Sequence, residues 1–89
     1  PFLFISHCMY FVYILYSAQH DKFYIGQTND LEDRLKRHNS GQVDATKPYL
    51  PWEMLIRIEK DTRSEAMILE KKLKNLSKER LRLFIEKYS

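Results

Sequence analysis

From Tyr10 to Tyr16 the chain reads Tyr-Phe-Val-Tyr-Ile-Leu-Tyr, with no polar interruption. An apolar run without alternation suits a strand covered on both faces. Ser17 to Asp21 is short and polar and predicts a hairpin turn, with Lys22 to Gly26 as the returning strand. The period then lengthens. Asn29 or Asp30 can cap a helix that starts at Leu31, and Ser40-Gly41 stops it after Asn39. Gln42 to Pro51 has two prolines and no periodicity, so it reads as a loop. Trp52 to Glu59 reads as a third strand, with Trp52, Met54, Ile56 and Ile58 on one face. Asp61 or Thr62 can cap a second helix over Arg63 to Asn75, and Ser77 a third over Glu79 to Lys87. The order is ββαβαα. It predicts an α+β domain, a small three-stranded antiparallel sheet flanked by helices.

Composition narrows the class without naming it. Eighty-nine residues make one small domain. Apolar residues at 44% and charged residues at 30% are ordinary for a soluble globular chain. A net charge of +3 permits nucleic-acid binding but does not require it. The single cysteine, Cys8, excludes an internal disulfide and fits a reducing compartment, the cytoplasm. No Cys/His spacing suggests zinc. Pro1 to Ile5 is apolar, but it lacks a preceding basic region and is too short to span a bilayer, so no membrane association is expected. Residues 1–8 are expected to be an extension, with Met9 a plausible natural start and the domain occupying 9–89.

Several polar groups stand where apolar ones are expected. On a wheel of 100° per residue, Leu31 and Leu35 mark the buried face of the first helix, with Arg34 and His38 on its margin. Arg34 either packs its stem and sends its head to water or serves a site. His38 reads alone as a surface or packing histidine. In the second helix Ala66, Leu69, Leu73 and Leu76 form the stripe, and Glu70 falls inside it. A carboxylate there must be paired or bonded. An ion pair with Arg34 or a lysine and a hard divalent cation are both open. Ile68 points away from the stripe, towards the third helix. Tyr13 and Tyr24 can project from one face of the hairpin. Each taken singly reads as a core aromatic with a bonded hydroxyl.

These residues, in this order, resemble the GIY-YIG nuclease superfamily. Tyr24-Ile25-Gly26 is the literal second half of its signature, and Phe11-Val12-Tyr13 a degenerate first half that keeps the tyrosine. Asn29 to Gly41 looks like the family's arginine helix, Lys47-Pro48 and Pro51-Trp52 like the approach to its third strand, and Glu65 to Lys72 like its metal-binding helix. The match covers roughly Tyr10 to Tyr88 and is most similar to small stand-alone bacterial proteins related to the N-terminal nuclease domain of the bacterial excinuclease. The resemblance implies a metal-dependent endonuclease acting on DNA, in repair or recombination. Tyr13 would activate the attacking water, and Tyr24 would stand near the scissile phosphate. Arg34 would neutralise phosphate charge, and His38 would assist proton transfer or hold the phosphate. Glu70 would ligate one Mg²⁺ or Mn²⁺. The chain departs from the excinuclease pattern at Gln27, where a lysine is usual, and at Arg82, where an asparagine is usual.

Lys36, Arg37, Lys47, Lys71 and Lys74 are candidate contacts to the DNA backbone. The alternative function is a DNA-binding or structure-sensing module with little catalysis. A purely structural domain would have to explain Glu70 as an ion pair. No particular protein partner is implied. Phe11 shares a strand face with Tyr13 and is the residue that could cover its hydroxyl.

Overall fold

The computed structural model describes residues 9–88. The expected extension over 1–8 lies outside the described residues. The chain forms β1 (Tyr10–Ser17), β2 (Lys22–Thr28), α1 (Leu31–Asn39), a 3₁₀ turn (Lys47–Tyr49), β3 (Glu53–Lys60), α2 (Arg63–Lys74) and α3 (Lys78–Tyr88). The sheet order is β2-β1-β3, and both pairings are antiparallel.

The apolar run is the central strand, and it is covered on both faces as its sequence requires. Val12, Tyr13, Ile14 and Leu15 are all buried. Val12 and Ile14 join Ile25, Ile56, Ala66, Leu73 and Leu81, so α2 and α3 close that face. Tyr13 and Leu15 join Trp52, with Tyr24, Leu31, Leu35, Tyr49 and Leu50 around them. That face is closed by α1 and the 3₁₀ segment. The edge strand β2 therefore runs between α1 on one side of the sheet and α2 on the other.

Each helix start is fixed by one side-chain oxygen. Asp30 accepts from the Asp33 amide, Thr62 from the Glu65 amide and Ser77 from the Arg80 amide. Such caps satisfy backbone donors that the helix itself leaves free. In α1, Glu32 and Asp33 lie in the first turn and Lys36, Arg37 and His38 in the last, which complements the helix dipole.

The third strand departs from its expected face pattern. Ile14 pairs with Ile56, but Leu15 pairs with Met54, so Leu55 is an extra residue in β3. A bulge of this kind changes which face the following residues point to. Met54 and Trp52 consequently pack with Tyr13 and Leu15, whereas Ile56 and Ile58 pack on the opposite face. Trp52 itself lies just before the strand. Ile68 is 67% exposed and faces solvent rather than α3.

The hairpin is pinned from outside. Asp21 takes a left-handed backbone conformation, φ 50°, which aspartate tolerates in a tight turn. Its carboxylate receives Lys78 and Arg82 from α3 and the Tyr16 hydroxyl from β1. The hydrogen bond from Lys78 leads the effects that hold its carboxyl well below the usual carboxylate range. Arg82 also lies over the Phe23 ring. The side chain at position 82 thus anchors the turn.

Candidate active site

Tyr13 and Gly26 are direct partners across β1 and β2. The Tyr13 ring leans over Gly26, where a Cβ atom would fall 2.5 Å from the phenolic oxygen. The missing side chain lets the ring lie flat across the edge strand. Tyr24, two residues earlier on the same strand face, has its ring centroid 6.4 Å from that of Tyr13. Both tyrosines of the sequence motif thus stand on one face, as expected.

His38 completes the cluster from α1. Its ring centroid is 5.8 Å from Tyr13 and 4.8 Å from Tyr24. A helical wheel places it on the margin of the helix, but the sheet aromatics close over it and it is fully buried. Nε2 lies 2.9 Å from the Tyr13 hydroxyl, and Nδ1 lies 2.9 Å from the Thr46 hydroxyl. Burial lowers its pKa, and the Arg34 charge lowers it further, so the imidazole is neutral near pH 7.

Arg34 is half-buried, one helical turn before His38. Its guanidinium stands beside the Tyr13 phenol. There it opposes a rise in the Tyr13 pKa that comes first from burial, then from Tyr24, and last from Glu70. Burial prevails, and the phenol is pushed above its ordinary value. Glu70 is therefore within electrostatic reach of Tyr13. Its carboxylate is 20% exposed and pairs with Lys74 at 3.0 Å, one turn along α2. The ion pair with a lysine that the sequence left open is made, with Lys74 as the partner. Phe11 shares a strand face with Tyr13, which is almost fully buried. Phe11 lines a separate depression with Leu31, Arg57, Ile58, Glu59 and Tyr88.

Three further residues border this cluster or the cleft beside it. Thr46 is fully buried behind His38. Trp52 donates its indole N–H to the Thr46 carbonyl at 2.8 Å. Arg63, at the start of α2, shares a polar cleft with Arg34, Tyr10, Gln27, Thr28 and Asn29. The cleft lining contains two guanidinium groups and no carboxylate, which suits an anion. Thr46 carries no sequence signal, since its loop has no periodicity. Arg63 could have been noted as a basic residue opening the helix that carries Glu70.

The candidate backbone contacts are less concentrated. Lys36, Lys47 and Lys71 are exposed. Arg37 is paired with Asp33 at 2.9 Å, and Lys74 is the partner of Glu70.

The protonation state of His38 has a consequence for stability. A base whose pKa is lowered by folding contributes stability that is present above its unfolded value, about 6.5, and is lost as pH falls towards the folded value. The denaturant midpoint should therefore drop as pH falls below about 6.5. His38→Gln should show a flatter decline than the native chain over the same range. Parallel curves for the two proteins would show that His38 does not titrate in this window.

A three-stranded α+β domain with two tyrosines, a guanidinium and a carboxylate drawn to its edge strand has the elements of a phosphodiester-cutting domain. The chain belongs to the GIY-YIG catalytic domain family, whose pattern matches residues 9–83. It is 35% identical over 78 residues to the UPF0213 protein YazA of Bacillus subtilis, covering 86% of this chain and 78% of that one. It is 44% identical over 63 residues to the UPF0213 protein YsiG of Lactococcus lactis. That match covers 68% of this chain and spans 59% of the length of YsiG. The solution structure of the UPF0213 protein BH0048 from Bacillus halodurans superposes with a TM-score of 0.58 at 28% identity, covering 88% of this chain and 83% of that one. Family membership points to nuclease activity. Among the described residues no helix is long and apolar enough to cross a membrane.

Proposed function

We propose that the protein is a metal-dependent endonuclease that hydrolyses DNA phosphodiester bonds at the outer edge of β2. The observation that carries this reading is the hydrogen bond between the Tyr13 phenol and the buried His38 imidazole, whose pKa burial lowers, with Arg34 alongside. An ordinary phenol has a pKa near 10 and needs a proton acceptor to act as a base. His38 is such an acceptor. The Tyr13 proton passes to Nε2 as the Tyr13 oxygen takes a proton from the attacking water. Arg34 and Arg63 hold the phosphate oxygens from the shared cleft, and Tyr24 orients the scissile group. Tyr13 is 1% exposed. The side chains enclosing the phenol, Arg34 among them, would therefore have to shift as phosphate docks to admit the water. Lys36, Arg37, Lys47 and Lys71 extend the contact along the backbone.

One Mg²⁺ or Mn²⁺ fits the donor set. Among the described residues no three His, Cys, Asp or Glu side chains converge, so Glu70 offers a single carboxylate rather than a closed cage. Mg²⁺ commonly keeps several waters and uses one or two carboxylates together with substrate phosphate oxygens. The Lys74 ammonium now neutralises that carboxylate and would give way to the ion. When bound, the ion would polarise the phosphate and stabilise its developing charge.

A plasmid-nicking assay with and without Mg²⁺ tests this reading. The native chain should nick, and Glu70→Gln should lose the Mg²⁺-dependent cleavage while keeping its unfolding midpoint. Full activity in Glu70→Gln would remove the carboxylate from the chemistry. The burial of Tyr13 favours one second reading, a DNA-binding or structure-sensing module with little catalysis. In that case a shift assay would register binding by a native chain that does not nick.

A further inference from the structure

Thr46 lies outside the family's motifs and is fully buried, yet it touches the imidazole at the centre of the site. We propose that Thr46 is a positioning residue that fixes His38 in the tautomer with its proton on Nδ1, leaving Nε2 as the acceptor for the Tyr13 proton. This inference rests on the nuclease reading for its catalytic consequence, but not for its structural content.

The assignment follows from placing each proton. With the proton on Nδ1, Tyr13 O–H donates to Nε2, Nδ1–H donates to the Thr46 oxygen, and the Thr46 hydroxyl donates to the Val43 carbonyl at 3.3 Å. Every donor then has an acceptor. With the proton on Nε2, that N–H points at the Tyr13 oxygen and the phenolic proton must turn elsewhere. Among the described residues His38 Nε2 is the one acceptor hydrogen-bonded to the Tyr13 hydroxyl, and Arg34 beside it can only donate. A proton without an acceptor at a site this buried is costly. The Val43 carbonyl already receives the Thr46 and Lys47 amides, so the Thr46 hydroxyl is its weakest donor.

The fold holds Thr46 to this task. Its carbonyl accepts the Trp52 indole N–H at 2.8 Å. Trp52 is tied to α1 in turn, because Asn39 accepts the Trp52 amide at 2.8 Å and donates to the Trp52 carbonyl at 3.1 Å. The residue next to His38 thus anchors the loop that orients its ring. Partners that orient metal-bound imidazoles typically change affinity or activity about ten- to a hundredfold when removed, and the same order is expected for an imidazole that takes a proton.

The test is nitrogen-15 NMR of the imidazoles at pH 7.5, with His38 assigned from the resonances lost in His38→Gln. The native chain should show a protonated Nδ1 and an unprotonated Nε2. Thr46→Val keeps the shape and removes the acceptor. It should shift His38 towards the Nε2–H form and lower single-turnover nicking about ten- to a hundredfold at unchanged DNA affinity. Thr46→Ser should restore both. A native His38 protonated on Nε2 would overturn the assignment, and needs no variant to fold. A shifted tautomer with unchanged nicking would overturn the functional role. A native chain that shows the Nδ1–H form but never nicks would count against the nuclease reading and not against the tautomer.

Discussion

Tyr13→Phe is expected to lower DNA cleavage by about 10²–10⁴-fold, the contribution of a positioned acid–base group. The ring stays over Gly26 and within the Tyr13–Leu15–Trp52 cluster, so the fold survives. The lost hydroxyl leaves the His38 Nε2 unpaired at a buried position, which costs about 1–3 kcal/mol. Single-turnover nicking beside urea unfolding separates the two effects. A modest loss of stability with normal cleavage would reduce Tyr13 to a core aromatic. Tyr24→Phe should lose less, because on the proposed mechanism Arg34 and Arg63 would also hold the phosphate.

Arg34→Ala should reduce turnover by about 10²–10³-fold and DNA affinity much less, since the guanidinium acts mainly on charge that develops in the transition state. A second signature follows from its position. Arg34 is one of the two causes that lower the His38 pKa, so removing it should move the acid limb of the pH–rate profile upward. A variant that binds tenfold more weakly but turns over normally would make Arg34 a phosphate anchor alone.

The architecture was legible because few residues are ambiguous about their period. The unbroken run at Tyr10–Tyr16, the capping oxygens and the stripe of α2 specify ββαβαα without tertiary knowledge. Glu70 was legible for the same reason, as one carboxylate in an apolar stripe. The bulge at Leu55 was not. The apolar Leu55 breaks the alternation between Met54 and Ile56, but an apolar residue there can equally belong to a strand covered on both faces, and no Gly or Pro marks it as extra. A wheel misplaces His38 on the margin because it knows only its own helix, whereas two tyrosines from the sheet bury the ring. Thr46 was invisible, since its role exists only once the loop folds back on α1.

Gly26 gives the experimenter a separate handle on the site. A methyl group there would collide with the phenolic oxygen of a rigid, buried ring, so the ring has to leave its seat. The alanine variant would keep Arg34, Arg63, Glu70 and every surface lysine unaltered in charge. It would serve as a decoy, a chain that presents the full electrostatic footprint to DNA while its reactive oxygen is out of line. With such a decoy, occupancy of nucleic acid can be followed without the substrate being consumed.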